Sequence, residues 1–341
     1  MYRYIGNKTA VLSPLLEIIT ANIESRSIFV DPMCGTASVA AAIAELGHSV
    51  RAGDILTFPT YHAHARLVLN SAPNFEKLGC SYGEIIEKLN SLSPVSDYFS
   101  REFAENGIPA NGAKPRKYFT GENASKIDAI SNQISEWRNL ELIDESQNML
   151  LRHDLIMAVN RVANIAGTYG HYRASFSTSS RKPIELRAST FNEWASSTNS
   201  VFNGPVERTV PIQSGSILYL DPPYMKRQYA ANYHLLETVA LGDKPTPIGE
   251  SGLRDWWPQY SDFCSKRKIA DAFRATLSDC KFSKVFVSYS QDGLIPLERM
   301  SEILSEFGSV KSHSFTHKRF RSNNSPLEKI LLEYVFEVSV A

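Results

Sequence analysis

A carboxylate, two prolines and a tyrosine end an apolar run within residues 216–240, SILYLDPPYMKRQYAANYHLLETVA. Asp221 and the backbone carbonyl of Pro222 can both accept a hydrogen bond from the exocyclic amino group of a nucleobase. Because such contacts localise the lone pair of the nitrogen, they make it a better nucleophile towards a methyl group. Pro222 and Pro223 stiffen the turn, and Tyr224 offers a flat ring for an extruded base. These residues predict a site that methylates an amino group.

A second polar motif, FVDPMCGTASVA at residues 29–40, has Asp31 after an apolar stretch and Gly35 in the turn before a helix. Asp54 ends the next predicted strand, near the spacing at which an acidic residue reaches ribose hydroxyls. Ala37 stands where a second glycine would let a pyrophosphate approach, so a cofactor without phosphates is favoured. The motif therefore predicts S-adenosylmethionine, although an ordinary strand-turn-helix connection explains the same residues.

The elements that position these motifs alternate at the N-terminus, with a helix at 11–23, a strand at 27–31, a helix at 36–47 and a strand at 48–54. This alternation is typical of a parallel sheet, and in such sheets ligands bind at the carboxyl ends of the strands. Strands return at 216–221 and 284–290. Two more, at 309–318 and 329–338, are close enough to form an antiparallel hairpin at a sheet edge.

The middle of the chain loses this alternation and shows helical stretches at 125–139 and 145–167. We therefore predict an α/β fold with a Rossmann-like, mostly parallel sheet, an antiparallel C-terminal edge hairpin and an inserted, mainly helical target-recognition subdomain. Residues 1–60 and 211–341 form the predicted catalytic domain, and residues 61–210 form the predicted insertion.

Composition excludes several classes of protein. The chain has 341 residues with 36 basic and 36 acidic side chains, so affinity for a polyanion must come from local patches. Four scattered cysteines, without a CxxC pair, argue against structural zinc, other metal sites and a disulfide framework. No apolar run is long enough to span a membrane and no export signal opens the chain, so a cytoplasmic, nucleoid-associated protein is expected.

Basic residues cluster in three places, and a solvated basic loop is the alternative explanation for each cluster. In the first, around GTYGHYRASFSTSSRK at 167–182, aromatic and hydroxyl side chains accompany the charges, which suits contact with phosphates and base edges. The second cluster follows residue 224, and the third precedes the last strand. The predicted nucleic-acid contacts are Arg173, Arg181, Lys182, Lys226, Arg227, Lys318, Arg319 and Arg321.

Some aromatic and histidine residues have two possible roles. Tyr229 and Tyr233 suit contact with DNA or with the extruded base, but Tyr233 also fits a helix core with Leu236 and Val239. Tyr289 suits either the wall of a base pocket or the core. The spacing of His153, His171 and His234 does not pair them, so they are predicted to be structural or DNA-contacting.

The motifs YIGNK at 4–8, DPMCGTAS at 31–38 and DPPY at 221–224 resemble, in this order, those of the Dam-like N6-adenine DNA methyltransferases. NYHLLETVA at 232–240 and VSYSQDGLI at 287–295 further resemble modification methylases of restriction systems. Ala37 departs from the family pattern, which often has glycine there. The resemblance assigns target adenine binding to Asp221, Pro222, Pro223 and Tyr224, and cofactor binding to Tyr4, Gly6, Lys8, Asp31, Pro32, Gly35, Thr36 and Asp54.

The resemblance implies site-specific methylation of adenine N6 in double-stranded DNA, with the base flipped out of the duplex. It also admits a cognate restriction endonuclease as a partner. An adenine methyltransferase that acts on RNA would need the same residues, and a catalytically silent protein that binds DNA or senses the cofactor is a third interpretation. The intact Asp221 and Tyr224 argue against the silent protein.

Overall fold

The computed structural model describes residues 4–21, 23–24, 26–223, 225–318 and 330–340. Two compact units share the chain. The sheet unit consists of Gly6–Ile55, Trp194–Gln228 and Ser261–Ala341, and the helical unit consists of Met1–Ile5, Leu56–Glu193 and Tyr229–Tyr260. The functional roles predicted for 1–60, 61–210 and 211–341 stay predictions.

Within the described residues, seven strands form one sheet in the order β3-β2-β1-β4-β5-β7-β6. Strands β1 to β5 are parallel, and β7 runs antiparallel to both β5 and β6. The mostly parallel α/β sheet and its antiparallel edge hairpin are therefore confirmed. The strands are β1 (Ile28–Asp31), β2 (Ser49–Asp54), β3 (Ser200–Asn203), β4 (Ile217–Leu220), β5 (Lys284–Ser290), β6 (Gly308–Lys318) and β7 (Ile330–Val340).

The described residues contain twelve α-helices, and none of them is long and apolar enough to cross a lipid bilayer. Helices α1, α2, α8, α11 and α12 belong to the sheet unit, and the others belong to the helical unit. The bounds are α1 (Leu12–Thr20), α2 (Ser38–Glu45), α3 (Thr57–Ala63), α4 (Tyr82–Ser91), α5 (Tyr98–Glu102), α6 (Gly121–Asn139), α7 (Glu145–Val162), α8 (Val206–Thr209), α9 (Tyr229–Asn232), α10 (His234–Leu241), α11 (Ile269–Leu277) and α12 (Leu297–Ser305).

Apolar strands form the centre of the sheet unit. Every residue of β4 is buried, as are Val285 and Val287 of β5. Strands without polar alternation are expected where helices cover both faces of a parallel sheet. Phe273 of α11 and Met300 of α12 belong to the same buried cluster. This core fixes the strands whose ends carry the polar motifs.

Helices α6 and α7 organise the helical unit. The predicted apolar stripe of α6 is buried at Ile127, Ile130, Ile134 and Trp137. Helix α7 begins with a capping box at Asp144 and ends at Val162, five residues before the predicted helix limit. After α7 the chain becomes extended, which makes the following residues available for a loop.

A buried ion pair holds α5 and the hairpin-like segment 248–253 together. Arg116 Nη1 lies 3.0 Å from Glu102 Oε2, and both side chains are fully buried. Arg116 Nε also donates to the Glu250 carbonyl at 2.9 Å. A buried carboxylate that loses its cation is left without compensation for its desolvation.

We expect Arg116→Met to lower the free energy of unfolding by about 3–5 kcal/mol, because it removes the fully buried cation of Glu102 and leaves only Arg101, whose side chain is 49 % exposed, to pair with this carboxylate. Chemical denaturation measures this change. Arg138→Met is the control, since Arg138 pairs with Glu145 at the surface and should change stability by less than about 0.5 kcal/mol. Adding Glu102→Gln to Arg116→Met should recover part of the loss. Equal effects of Arg116→Met and Arg138→Met would contradict this account.

Candidate active site

Three aspartates lie at the carboxyl ends of neighbouring parallel strands. Asp31 ends β1, Asp54 ends β2, and Asp221 directly follows β4. Strand β1 lies between β2 and β4, so the connection order of the sheet reverses at this point. Ligands of open parallel sheets bind at such a reversal. The sheet therefore places the predicted cofactor and adenine motifs at a shared edge.

Lys8 reaches Asp221 from the N-terminal turn. Its Nζ atom lies 3.1 Å from Asp221 Oδ1 and 3.9 Å from Glu333 Oε2, and its side chain is only 6 % exposed. Gly6 has a φ of 78°, which a residue with a side chain rarely adopts, and Asn7 caps the following short helix by accepting from Thr9 N. The turn thus delivers a cation to the predicted catalytic carboxylate.

Glu333 is a candidate site residue that the sequence motifs miss. It lies on β7, opposite Ser290 of β5, and is buried beside Lys8. No local motif marks it, because only the antiparallel pairing of β7 brings it to this edge of the sheet. Its carboxylate gives Lys8 a second counter-charge.

The predicted cofactor loop is tied to the end of β2. Gly35 N donates to Asp54 Oδ2 at 3.1 Å, and Cys34 N donates to the Gly53 carbonyl at 2.8 Å. Gly35 and Ala37 both have a φ of 50°. This left-handed conformation costs a residue with a Cβ atom about 1–2 kcal/mol, so Ala37 carries strain where glycine would carry none.

Pro32 and Thr36, which were also predicted to bind the cofactor, are buried in the same loop. Thr36 Oγ1 lies 3.4 Å from Asn7 Oδ1, so the loop and the N-terminal turn meet here. Lys8, Asp31, Gly35, Thr36 and Asp54 thus belong to one connected region of the sheet unit. No group of three or more histidine, cysteine or acidic residues in the described chain is suited to hold a metal ion.

The electrostatics of this region centre on Asp31, which is 2 % exposed. Its Oδ1 atom has no hydrogen-bond partner within the part of the chain that the structure describes. Burial raises the pKa of Asp31 well above its usual value, and the charges of Asp221 and Asp54 raise it further. A buried acceptor without a donor is rare in folded proteins. The oxygen is therefore suited to a positively charged donor group of a ligand.

The loop after β4 exposes its basic residues, whereas Asp221 is mostly covered. Asp221 is 17 % exposed, Pro222 is buried and Pro223 is partly buried, whereas Tyr224 lies outside the described residues. Lys226 and Arg227 are exposed. Gln228 exchanges two hydrogen bonds with the backbone of Ser261, at 3.0 Å and 2.9 Å, and so fixes the end of this loop.

Tyr4 belongs to the helical unit, where its ring stacks on Tyr233 at 4.9 Å and 18°. Tyr233 is fully buried, and its hydroxyl accepts from Ile5 N at 2.7 Å. Tyr233 is therefore a core residue, as its helical spacing with Leu236 and Val239 suggested, and its assignment to a DNA contact is wrong.

Two further residues with open roles are structural. His234 is fully buried and bonds through Nε2 to the Tyr169 carbonyl at 3.0 Å, while burial lowers the pKa of His234 to about 3. Tyr289 is also fully buried, and its hydroxyl accepts from Ile295 N at 3.1 Å, which favours core packing. His153 is buried as well.

The predicted recognition residues Arg173, Arg181 and Lys182 are exposed on residues 164–187, called here the basic loop. Two buried asparagines fix its backbone. Asn164 Nδ2 donates to the Arg173 carbonyl at 3.0 Å, and Asn123 Nδ2 donates to the Lys182 carbonyl at 2.9 Å. The basic side chains are thus carried by an anchored backbone.

Arg152, a basic residue that precedes the basic loop, is not available to a ligand. Arg152 is buried and donates to Ser131 and Ser135, so it stabilises helix packing. Lys318 is the last residue of β6, and its side chain lies outside the described part of the structure, as do Arg319 and Arg321. The role of these three residues stays a prediction.

Comparison with known proteins identifies the family. A family model described as D12 class N6 adenine-specific DNA methyltransferase matches residues 4–303. Type II methyltransferase M.FokI of Planomicrobium okeanokoites is 34% identical over 98% of this chain and 52% of its own length. Type II methyltransferase M.NlaIII of Neisseria lactamica is 33% identical over 94% of this chain and 93% of its own.

Modification methylase StsI of Streptococcus sanguinis is 31% identical over 98% of this chain and 51% of its own length. The chain thus spans about half the length of M.FokI and StsI and nearly all of M.NlaIII. The resemblance indicated by the three sequence motifs is confirmed, and the chain belongs to the D12 class of N6 adenine-specific DNA methyltransferases.

Proposed function

We propose that this chain transfers a methyl group from S-adenosylmethionine to N6 of an adenine that is flipped out of duplex DNA at a specific site. The observation that carries the proposal is the buried contact of 3.1 Å between Lys8 and Asp221, at the sheet edge where Asp31 and Asp54 also lie. A pre-positioned carboxylate is what activation of an amino group requires.

The catalytic role falls to the turn after β4. Lys8 holds the Asp221 carboxylate in place, so that Asp221 and the Pro222 carbonyl can accept the two amino hydrogens of adenine. The N6 lone pair would attack the methyl carbon as the C–S bond of the cofactor breaks, which would leave a neutral thioether. The extra proton on the methylated nitrogen would pass to Asp221 or to water. A neutral amine needs no strong base for this reaction, and positioning provides much of the rate. Pro223 stiffens the turn, and Tyr224 would stack on the base.

Cofactor binding falls to the region around Asp31. Asp31 Oδ1, which has no hydrogen-bond partner among the described residues, would accept from the ammonium group of S-adenosylmethionine, and Asp54 would accept from its ribose hydroxyls. Several carboxylates around one lysine suit a cofactor that carries a positive sulfonium. By resemblance, Gly6, Pro32, Gly35 and Thr36 would line the rest of the pocket, and the assignment of Tyr4 to the cofactor stays a prediction.

DNA binding falls to the exposed basic residues. The basic loop with Arg173, Arg181 and Lys182 would contact phosphates and base edges, and Lys226 and Arg227 would contact the strand near the flipped base. Relatives named as modification methylases support a cognate restriction endonuclease as partner. We accordingly place the protein in the cytoplasm with the chromosomal DNA.

We expect Asp221→Asn to lower transfer of labelled methyl groups to duplex DNA by about 10²–10³-fold, because the carboxylate that polarises the amino group is lost. DNA affinity, measured by gel shift, should stay unchanged. Asp279→Asn, at an exposed aspartate of the sheet unit, is the matched control and should retain full activity. The sequence of these duplexes is chosen by first mapping N6-methyladenine in the genome of a non-methylating host that expresses the parental chain.

Each other result of this assay has a distinct meaning. Parental activity of Asp221→Asn would contradict the mechanism. Transfer to RNA instead of duplex DNA would contradict the substrate, and a parental chain that binds DNA but transfers no methyl group would be a silent DNA-binding protein.

We expect the affinity for S-adenosylmethionine to rise with pH as Asp31 ionises. Burial raises the pKa of Asp31, so its carboxyl is neutral below that raised pKa and contributes a costly buried charge above it. A bound ammonium group, protonated up to about pH 7.7–8.0, offsets this charge, and binding should therefore release a proton.

Calorimetry in two buffers of different ionisation enthalpy measures the released proton. Asp31→Asn should abolish the release, and it should also remove the loss of stability that the cofactor-free protein shows as pH rises through the raised pKa. Proton release that is unchanged in Asp31→Asn would assign the titration to another group.

We expect Arg173→Ala, Arg181→Ala or Lys182→Ala to flatten the slope of log affinity against log salt by about 0.9 for each lost phosphate contact. Loss of a residue that reads a base should instead weaken binding to the recognised site by about 1–3 kcal/mol and relax discrimination at one base pair. Titration of cognate and scrambled duplexes at several salt concentrations separates the two effects. Arg187→Ala is the control, since Arg187 already pairs with Glu185 at 3.3 Å. If all variants match the parent, DNA recognition lies elsewhere.

A further inference from the structure

Three aromatic rings of the helical unit stack on one another at the surface. Trp256 and Trp257 lie 4.8 Å apart with 18° between their planes, and Tyr260 lies 5.5 Å from Trp257 at 14°. Trp257 is 67 % exposed. We call these three residues the tryptophan platform. The motifs that identify the family do not include it.

Buried polar groups hold the platform from behind. Gln259, between Trp257 and Tyr260 in sequence, donates to Glu237 Oε1 at 2.7 Å. Glu237 is fully buried and also accepts from the backbone amides of Thr57 and Phe58 at the start of α3. The platform is thus tied to the N-terminal end of a helix, and Pro258 stiffens the turn that carries it.

A second tether lies just before the platform. Arg254 makes two parallel hydrogen bonds to Asp243, at 3.0 Å and 2.9 Å, and a third to Thr238 Oγ1 at 3.1 Å. Further upstream, Arg116 holds segment 248–253 through the Glu250 carbonyl. A surface tryptophan that is mounted this rigidly loses little conformational entropy when it binds a ligand.

The same segment is bonded to the basic loop. Ser251 Oγ lies 2.8 Å from His171 Nδ1, and the His171 ring stacks on Tyr172 at 4.5 Å. The platform and the exposed cations Arg173, Arg181 and Lys182 therefore belong to connected parts of one unit. A ligand that offers both flat rings and negative charges fits this combination, and nucleic acid has both.

We propose that the tryptophan platform stacks a nucleobase of the DNA substrate, one that is unpaired when the target adenine leaves the duplex. This inference rests on the proposed function, in which Tyr224 is assigned to the adenine itself and the platform takes another base. Stacking on Trp257 needs no hydrogen-bond readout, so the contact would tolerate any base. The platform would thereby stabilise the opened duplex.

The first test measures binding without a methyl donor. We expect Trp257→Ala to weaken binding of the methylated-site duplex by about 5- to 150-fold, as expected for loss of one stacked base. Trp257→Phe keeps a flat ring and should restore most of the affinity. Ile108→Ala, at an apolar side chain of the same unit that is 82 % exposed, is the control and should bind like the parent.

The second test identifies the stacked base. Duplexes that lack one base in turn, including the partner of the target adenine, are titrated with the parent and with Trp257→Ala. When the missing base is the one that stacks on Trp257, the parent and Trp257→Ala should bind the abasic duplex with equal affinity. When any other base is missing, the parent should bind more tightly than Trp257→Ala. An unchanged difference at all positions would overturn the proposal.

Two further results are distinct from this one. Sedimentation that shows dimers of the parent but monomers of Trp257→Ala, with equal DNA affinity, would make the platform an interface between copies of the chain and overturn the proposal. If the parent binds DNA through Trp257 but transfers no methyl group, the proposed function is contradicted. The stacking role of the platform is still confirmed, because binding is measured without the methyl donor.

Discussion

Charge balance at the carboxyl ends of β1, β2 and β4 is the constraint on which the rest of the structure depends. Asp31, Asp54 and Asp221 all lie at this edge, and the charges of the latter two raise the pKa of Asp31. Like charges at a buried edge are tolerated only with counter-charges or hydrogen-bond donors. Lys8 supplies a cation to Asp221, and Gly35 N supplies a donor to Asp54. The N-terminal turn is therefore part of the architecture of the proposed active site.

Two locally unfavourable features lie at this edge of the sheet. Asp31 has an oxygen without a hydrogen-bond donor among the residues that the structure describes, and Ala37 adopts a left-handed backbone. Natural proteins concentrate such unfavourable features at functional sites, and favourable interactions elsewhere in the fold offset their cost. Here the stabilising part is the apolar centre of the sheet, where β4 and most of β5 are buried.

Local patterns predicted the sheet, its edge hairpin and the strand-end aspartates, because apolar runs that stop at a carboxylate are visible in the sequence. The two carboxylates that pair with Lys8 could not both be predicted from the sequence. Asp221 is in a motif, but Glu333 lies on β7 and reaches the site only through the register of that strand. Arg116 and Arg152 look like surface charges in sequence, yet both are buried in networks built from distant segments. Such pairings depend on tertiary contacts that periodicity does not encode.

The helical unit uses buried polar side chains to fix the backbone of exposed segments. Asn123 and Asn164 donate hydrogen bonds to the backbone of the basic loop. Glu237 accepts hydrogen bonds from the start of α3 and from Gln259. Each of these contacts satisfies a backbone or amide group that would otherwise need water. An exposed loop without them would have to be ordered when it binds DNA, and this ordering would reduce affinity. Because internal hydrogen bonds already order these segments, the proposed DNA contacts would require little further ordering of the chain, and the binding energy would remain for the proposed opening of the duplex.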